Sequence, residues 1–198
     1  MPQIIRTKPN KVVLGGLVLF FCLFPFITLA ANSPPAADSI TPALGKSQPN
    51  QKVSLTAVYS DPDGASNIYF ACILVSEQLN PKKGLYAYYN KKSKLLYLRS
   101  PDNTAWWGGY APGSQKTIRN AYAILDCANT KVSVAGKTLT ISWSIIFKPY
   151  TVGFKNIYLL ARDLSDNTTK WRKKGSWYIA ESPKERYYVY LNGQRVAM

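Results

Sequence analysis

Between positions 137 and 147, Leu139, Ile141, Trp143, Ile145 and Phe147 alternate with Thr138, Thr140, Ser142 and Ser144. Successive side chains of a β-strand point to opposite faces, so this period of two puts five apolar groups on one side and hydroxyls on the other. A helix would scatter the same residues around its circumference. The stretch therefore predicts an antiparallel strand with one dry face and one wet face. The pattern recurs at 53–60, where Val53, Leu55, Ala57 and Tyr59 point inward, and between 52 and 180 no segment has a helical period.

Further strands are predicted at 68–75, 84–90, 94–99, 117–126, 131–135, 154–162 and 176–180. Segment 68–75 is apolar on both faces, as a central strand would be, and it carries Cys72. Segments 84–90 and 94–99 flank Lys91-Lys92-Ser93 as a hairpin, and Ala135-Gly136 offers a tight turn. Roughly eight or nine short strands at this spacing predict an all-β fold, a two-sheet antiparallel β-sandwich of immunoglobulin/fibronectin type over residues 51–180.

The flanks differ in character. Residues 1–11 carry Arg6, Lys8 and Lys11 without an acid, 12–24 are unbroken apolar residues, and Pro25 precedes Thr28-Leu29-Ala30. A basic start, an apolar middle and small residues at the end predict a secretory signal peptide over 1–30, cleaved after Ala30. The 13 residues 12–24 would span only about 20 Å of a roughly 30 Å hydrocarbon core. An uncleaved anchor would use residues 12–30, the chain's sole expected contact with a membrane. Residues 31–50, rich in Pro, Ala, Ser and Asn, read as a tether. After Glu181-Ser182-Pro183-Lys184, Tyr187-Tyr188-Val189-Tyr190-Leu191 runs into Asn192-Gly193 and Gln194-Arg195-Val196-Ala197, a hairpin signal over 181–198.

The 198 residues include no histidine. That excludes Ser-His-Asp and Cys-His nucleophile pairs and His-ligated metals. The acids add no glycosidase pair: after residue 30 the glutamates are Glu77, Glu181 and Glu185, and none sits in a recognisable site. No enzyme is expected. Processing would remove three of 25 basic residues and none of ten acids, leaving +12. Such a charge suits a cell-wall or extracellular polyanion, although lysine pairs in turns (Lys82-Lys83, Lys91-Lys92, Lys173-Lys174) equally make a solvated face. Lys91 to Lys94 ahead of Leu95-Leu96-Tyr97 mixes basic and aromatic groups as single-strand nucleic-acid binders do, but an exported chain seldom meets that partner, and none is expected.

Three sets of residues are candidate sites. Cys72 and Cys127, the cysteines left after processing, suggest a disulfide closing a loop of 55 residues, for which chain entropy alone gives about 4 kcal/mol. The alternative is two separate buried thiols. Asp61 and Asp63 in Asp61-Pro62-Asp63-Gly64, with Asp163 and Asp166 in a second acidic turn, are the candidate ligands of Ca²⁺, the one cofactor considered. Asp-Pro-Asp-Gly is also a good type I turn without a metal. Trp106, Trp107 and Tyr110, in a loop between Pro101 and Pro112, are candidate sugar-stacking residues, with Gly108-Gly109 letting the chain approach a ligand. Against this, a loop could fold back and bury Trp106, while Trp171 and Trp177 read as core.

Two resemblances add to this. Residues 53–180 resemble secreted bacterial β-sandwich modules of immunoglobulin-like type in short words. These are Ser60-Asp61-Pro62-Asp63-Gly64, Tyr88-Tyr89-Asn90, Leu95-Leu96-Tyr97-Leu98, Pro112-Gly113-Ser114, Asn120, Gly153-Phe154-Lys155-Asn156-Ile157-Tyr158, Trp171 and Gly175-Ser176-Trp177. That pattern often has cysteines where Leu85 and Ala123 stand, so a family disulfide does not carry over. Residues 185–198, Glu185-Arg186-Tyr187-Tyr188-Val189-Tyr190-Leu191-Asn192-Gly193-Gln194-Arg195-Val196-Ala197-Met198, are similar to one unit of Rhs/YD-repeat proteins, large secreted shells of Tyr- and Gly-rich hairpins. The resemblance implies a sandwich placed before such a shell, in a truncated or split reading frame. The function expected is a non-catalytic, secreted or surface spacer, adhesion or presentation module. The alternative is a carbohydrate-binding module using the Trp106–Tyr110 loop.

Overall fold

A computed structural model describes residue 3 and residues 31–181, 188–191 and 194–197. The expected signal peptide over 1–30, residue 3 apart, and the Asn192-Gly193 turn expected from sequence lie outside the described residues. Among those described, no helix is long and apolar enough to cross a membrane.

The domain is a two-sheet β-sandwich. Its strands are β1 (Ala36–Thr41), β2 (Leu44–Ser47), β3 (Lys52–Ser60), β4 (Ile68–Ser76), β5 (Leu85–Asn90), β6 (Leu95–Arg99), β7 (Trp106–Tyr110), β8 (Thr117–Arg119), β9 (Ala123–Asp126), β10 (Lys131–Ala135), β11 (Thr138–Phe147), β12 (Gly153–Asp163) and β13 (Arg172–Ile179). A separate hairpin pairs β14 (Tyr188–Leu191) with β15 (Gln194–Ala197). The first sheet runs β1-β3-β11-β9-β8, with β10 sharing an edge of β11 with β9, and the second runs β2-β13-β12-β4-β5-β6-β7.

The alternating residues form the core as their period requires. Leu139, Ile141, Trp143, Ile145 and Phe147 of β11 and Val53, Leu55, Ala57 and Tyr59 of β3 are buried, facing Ile73, Leu85, Leu96, Leu98, Ile157 and Leu159 of the second sheet. Leu85 and Ala123, where the resembling modules often carry cysteine, are both in this core.

Residues 31–50 are no free tether. Ala36–Thr41 pairs antiparallel with β3, and after Pro42 the chain crosses to the second sheet, where Leu44–Ser47 lies parallel to β13. This is a parallel pair within an otherwise antiparallel sandwich, the architecture expected from sequence. Pro42 has no N–H to donate, which suits a crossing point rather than a strand interior. Backbone pairing does not depend on side-chain type, so a Pro-, Ala- and Ser-rich segment can still close two sheet edges.

The expected Cys72–Cys127 disulfide is absent, and both thiols are free and buried. Cys127 belongs to the core between the sheets, whereas Cys72 does not. On β4, Ala71, Ile73 and Val75 face that core, so Cys72 points to the other side of the second sheet. Burial pushes the Cys127 thiol up to about 11, with Asp126 adding to the effect, and raises Cys72 further. The melting temperature is therefore expected to be the same with and without dithiothreitol, and both thiols should resist iodoacetamide until the protein unfolds. A midpoint that drops under reductant would restore the bridge.

Candidate functional site

The outer faces of the two sheets differ. On the first, Ser54, Thr56, Thr140 and Ser142 face solvent, and Thr56 Oγ1 and Ser142 Oγ share a hydrogen bond of 2.8 Å. On the second, alternation along β4 turns Phe70, Cys72 and Leu74 outward. Among the described residues no further layer covers them, yet Cys72 and Leu74 are buried. Their cover is a set of rings from neighbouring strands.

Register brings these rings together. Tyr86 and Tyr88 of β5 stand opposite Leu74 and Cys72, and Tyr97 of β6 stands opposite Tyr88. Tyr88 and Tyr97 stack with centroids 4.7 Å apart. Trp106 of β7 meets Tyr88 edge-on at 4.4 Å and Tyr86 at 4.7 Å. Trp171, just before β13, packs on Tyr86 at 5.3 Å, and Phe70 continues the array to Tyr69. Arg99 lies over Trp106 at 4.8 Å and Arg162 over Phe70 at 5.6 Å. These offset and edge-on contacts hold the rings in place, since aromatic pairs prefer them to face-to-face sandwiches. Tyr69, Phe70, Cys72, Tyr86, Tyr88, Asn90 and Trp106 line a cleft of about 290 Å³ in this face. Burial, helped by Tyr97, pushes the Tyr88 phenol up to about 12, and burial raises Tyr86 too, so both hydroxyls stay protonated at neutral pH and can donate as well as accept.

The structure separates the three aromatic candidates. Trp106–Tyr110 is the edge strand β7 rather than a loop. Trp106 pairs with Arg99 on the outer face, whereas Trp107 and Tyr110 pair with the inward residues Leu98 and Leu96. Trp107 and Tyr110 lie at the open rim of the sandwich, 41% and 38% exposed. Gly108 is needed by the chain itself: at φ 116° a Cβ would sit 2.3 Å from Ile118 Cδ1. Trp177 is core, its Nε1 donating to Ser47 Oγ at 2.9 Å, but Trp171 belongs to the aromatic face. Lys173 and Lys174 lie in β13 rather than in a turn.

The two acidic turns meet at one end of the sandwich. Asp61 Oδ1 accepts from Asp63 N at 2.9 Å and Oδ2 from Asn67 Nδ2 at 3.1 Å. Asp163 Oδ1 accepts from the backbone N–H of Ser165 and of Asn167, each at 2.8 Å. Its Oδ2 accepts from Asn167 Nδ2 at 2.9 Å and Asn32 Nδ2 at 2.7 Å. Asn67 Nδ2 also donates to Asn32 Oδ1 at 2.7 Å, linking the turns. Asp63 accepts from Ser33 N at 2.6 Å, and Asp166 pairs with Arg162. Calcium would have to displace these donors, and among the described residues no group of three or more Cys, Asp or Glu is arranged to hold a metal.

No family model and no curated protein matches the chain. The solved structure of murine CRIg is similar to 76% of this chain and 100% of that chain, at 11% identity and a TM-score of 0.32. A likeness of that size bears on neither ligand nor partner.

Proposed function

We propose that the chain is an exported, non-catalytic adhesion or presentation module that binds carbohydrate on the outer aromatic face of its second sheet. The observation that carries this reading is the ring array Phe70–Tyr88–Trp106–Tyr86–Trp171, left half-buried where the outer face of a sheet would ordinarily be polar. Apolar sugar faces stack on rings, and protonated phenols at the cleft edge can exchange hydrogen bonds with sugar hydroxyls. Export rests on the composition of residues 1–30, and the hairpin of β14 and β15 suits placement beside a Rhs/YD-type shell. The site differs from the Trp106–Tyr110 loop expected from sequence: it keeps Trp106 and adds Tyr86, Tyr88, Tyr97 and Trp171.

A glycan array probed with the full chain tests it. Trp106→Ala should weaken binding to a selected glycan about tenfold, a loss of ~1.4 kcal/mol, and Trp107→Ala should leave it unchanged. No glycan bound, or sensitivity to Trp107 alone, would reject this face. Binding that instead collapses between low and high salt would assign the interaction to the lysines and a polyanion.

A further inference from the structure

At the end of the sandwich where β4 stops and β12 starts, a lysine occupies a core position. Along β12, Lys155 is in phase with the buried Ile157, Leu159 and Ala161, while the out-of-phase Phe154 is 75% exposed. Lys155 is only 6% exposed. A buried ammonium persists only when paired and hydrogen-bonded. Its Nζ donates to Val152 O at 3.1 Å and to Glu77 Oε1 at 2.7 Å.

The two partners are unequal. The cation is fixed by the strand and the core around its stem, but the Glu77 side chain is 74% exposed. The Glu77 backbone is held separately, by Asn156 Nδ2 donating to its carbonyl at 2.7 Å, and the next residue by Ser76 Oγ donating to Gln78 O. The carboxylate can therefore leave Lys155 without the loop unfolding, and water would solvate it where it went. The ion pair opens on a cleft of about 450 Å³ bordered by Lys82, Lys83, Tyr122 and Tyr150. Among the described residues Glu77 is the one acid lining it, against three lysines. Tyr150 is 81% exposed at the rim and Tyr122 half-buried.

We propose that this cleft is a carboxylate-binding site in which Glu77 is the resident stand-in for the ligand. The ligand class is a carboxylate on a compact ring body, as in a uronic acid. Its carboxylate would take the place of Glu77 on Lys155 Nζ, Lys82 and Lys83 would balance the added charge, and the tyrosine rings would flank its body. The same hydrogen bond and charge from Lys155 that hold the Glu77 carboxyl below its ordinary range would act on the incoming anion. The site shares no residue with the aromatic face, so Trp106→Ala should leave it intact, and either reading can fail alone.

The test is titration of the full chain with D-glucuronate at constant ionic strength, followed by NMR signals of residues 77–83, Tyr122, Tyr150 and the Lys155 ammonium. Glu77→Gln removes the internal competitor and should tighten binding about tenfold over the unaltered protein, while Lys155→Met should abolish it. The exposed pair Lys82→Ala with Lys83→Ala should weaken binding, a measurement that stands even where Lys155→Met unfolds the domain. The proposal is overturned by Glu77→Gln binding no tighter, by Lys155→Met binding as well as the unaltered protein, or by phosphate or chloride giving the same shifts as glucuronate.

Discussion

Replacing Trp143 with alanine is expected to lower the free energy of unfolding by about 3–5 kcal/mol, the range for removing a large buried aromatic side chain. Trp143 is the largest fully buried side chain, midway along β11 and opposite Leu55 of β3. It fills the space between the sheets at the register where β3, β11 and the second sheet converge. Collapse around the void is limited, because β11 is fixed to β3 by a continuous ladder from Ser60 to Lys52. With a total stability of about 5–15 kcal/mol for such a domain, the loss would be about a fifth of it or more. Phenylalanine should cost less than half as much as alanine. The Trp143 indole N–H is buried beside the Tyr59 hydroxyl, which donates to Cys72 O at 2.9 Å and still has lone pairs to accept, but it makes no hydrogen bond of good geometry. An unpaired buried donor costs about 1–3 kcal/mol, which phenylalanine would recover against its smaller volume. Urea unfolding followed by far-ultraviolet circular dichroism gives both values. A loss below about 1 kcal/mol for alanine would mean that the sheets do not pack on this residue.

The prominence of Trp143 was legible from alternation alone, because β11 has one face inside and one outside, and period two then assigns every residue. The same reasoning reached β4 only in part. Apolarity on both sides of 68–75 marked a central strand, but the groups that cover Phe70, Cys72 and Leu74 come from β5, β7 and the residue before β13. Their adjacency is a property of topology, which no local pattern encodes. The cysteines were undecided for the same reason: with 68–75 apolar on both faces, parity separates Cys72 from Ala71 and Ile73 without saying which set is inside, and the structure places Ala71 and Ile73 in the interior with Cys127. β7 reads as a loop because Gly108 and Gly109 break the pattern, and both have positive φ, 116° and 85°, at a bulge opposite Leu96 and Tyr97. β1 and β2 read as a tether because their composition is poor in strand formers, yet Ala37, Ile40 and Ser47 are buried once the edges of β3 and β13 recruit their backbones.

The other large effect falls on Asp163, where the acidic turns are tied together. Asp163→Ala is expected to cost about 2–4 kcal/mol, since two backbone N–H groups and two amides lose their acceptor, at about 1–3 kcal/mol for each donor that water cannot reach. Asparagine should fall between the two: its oxygen can still accept from the backbone, but its NH₂ meets the amide groups of Asn32 and Asn167 as donor against donor. Burial alone would raise the Asp163 carboxyl, and the hydrogen bonds from Asn167, Asn32 and the backbone of Asn167 and Ser165 outweigh it, so the group lies below the ordinary carboxylate value. A carboxyl lowered in the folded state binds fewer protons there than in the unfolded chain. Its stabilisation is complete above the unfolded value, about 4, and disappears as pH falls through the lower folded value. Asp126, lowered by Lys52 and Asn129 against the same burial, contributes with the same sign. Stability measured by urea from about pH 6 down to about pH 2.5 should therefore fall on an acid limb that is shallower in Asp163→Ala and shallower again when Asp126→Asn is added, the lowered carboxyls of Glu77 and Asp102 keeping the rest of the slope. An Asp163→Ala limb as steep as that of the unaltered protein would show that the linked turns, and with them the docking of Asn32 against the sandwich, carry none of the acid sensitivity.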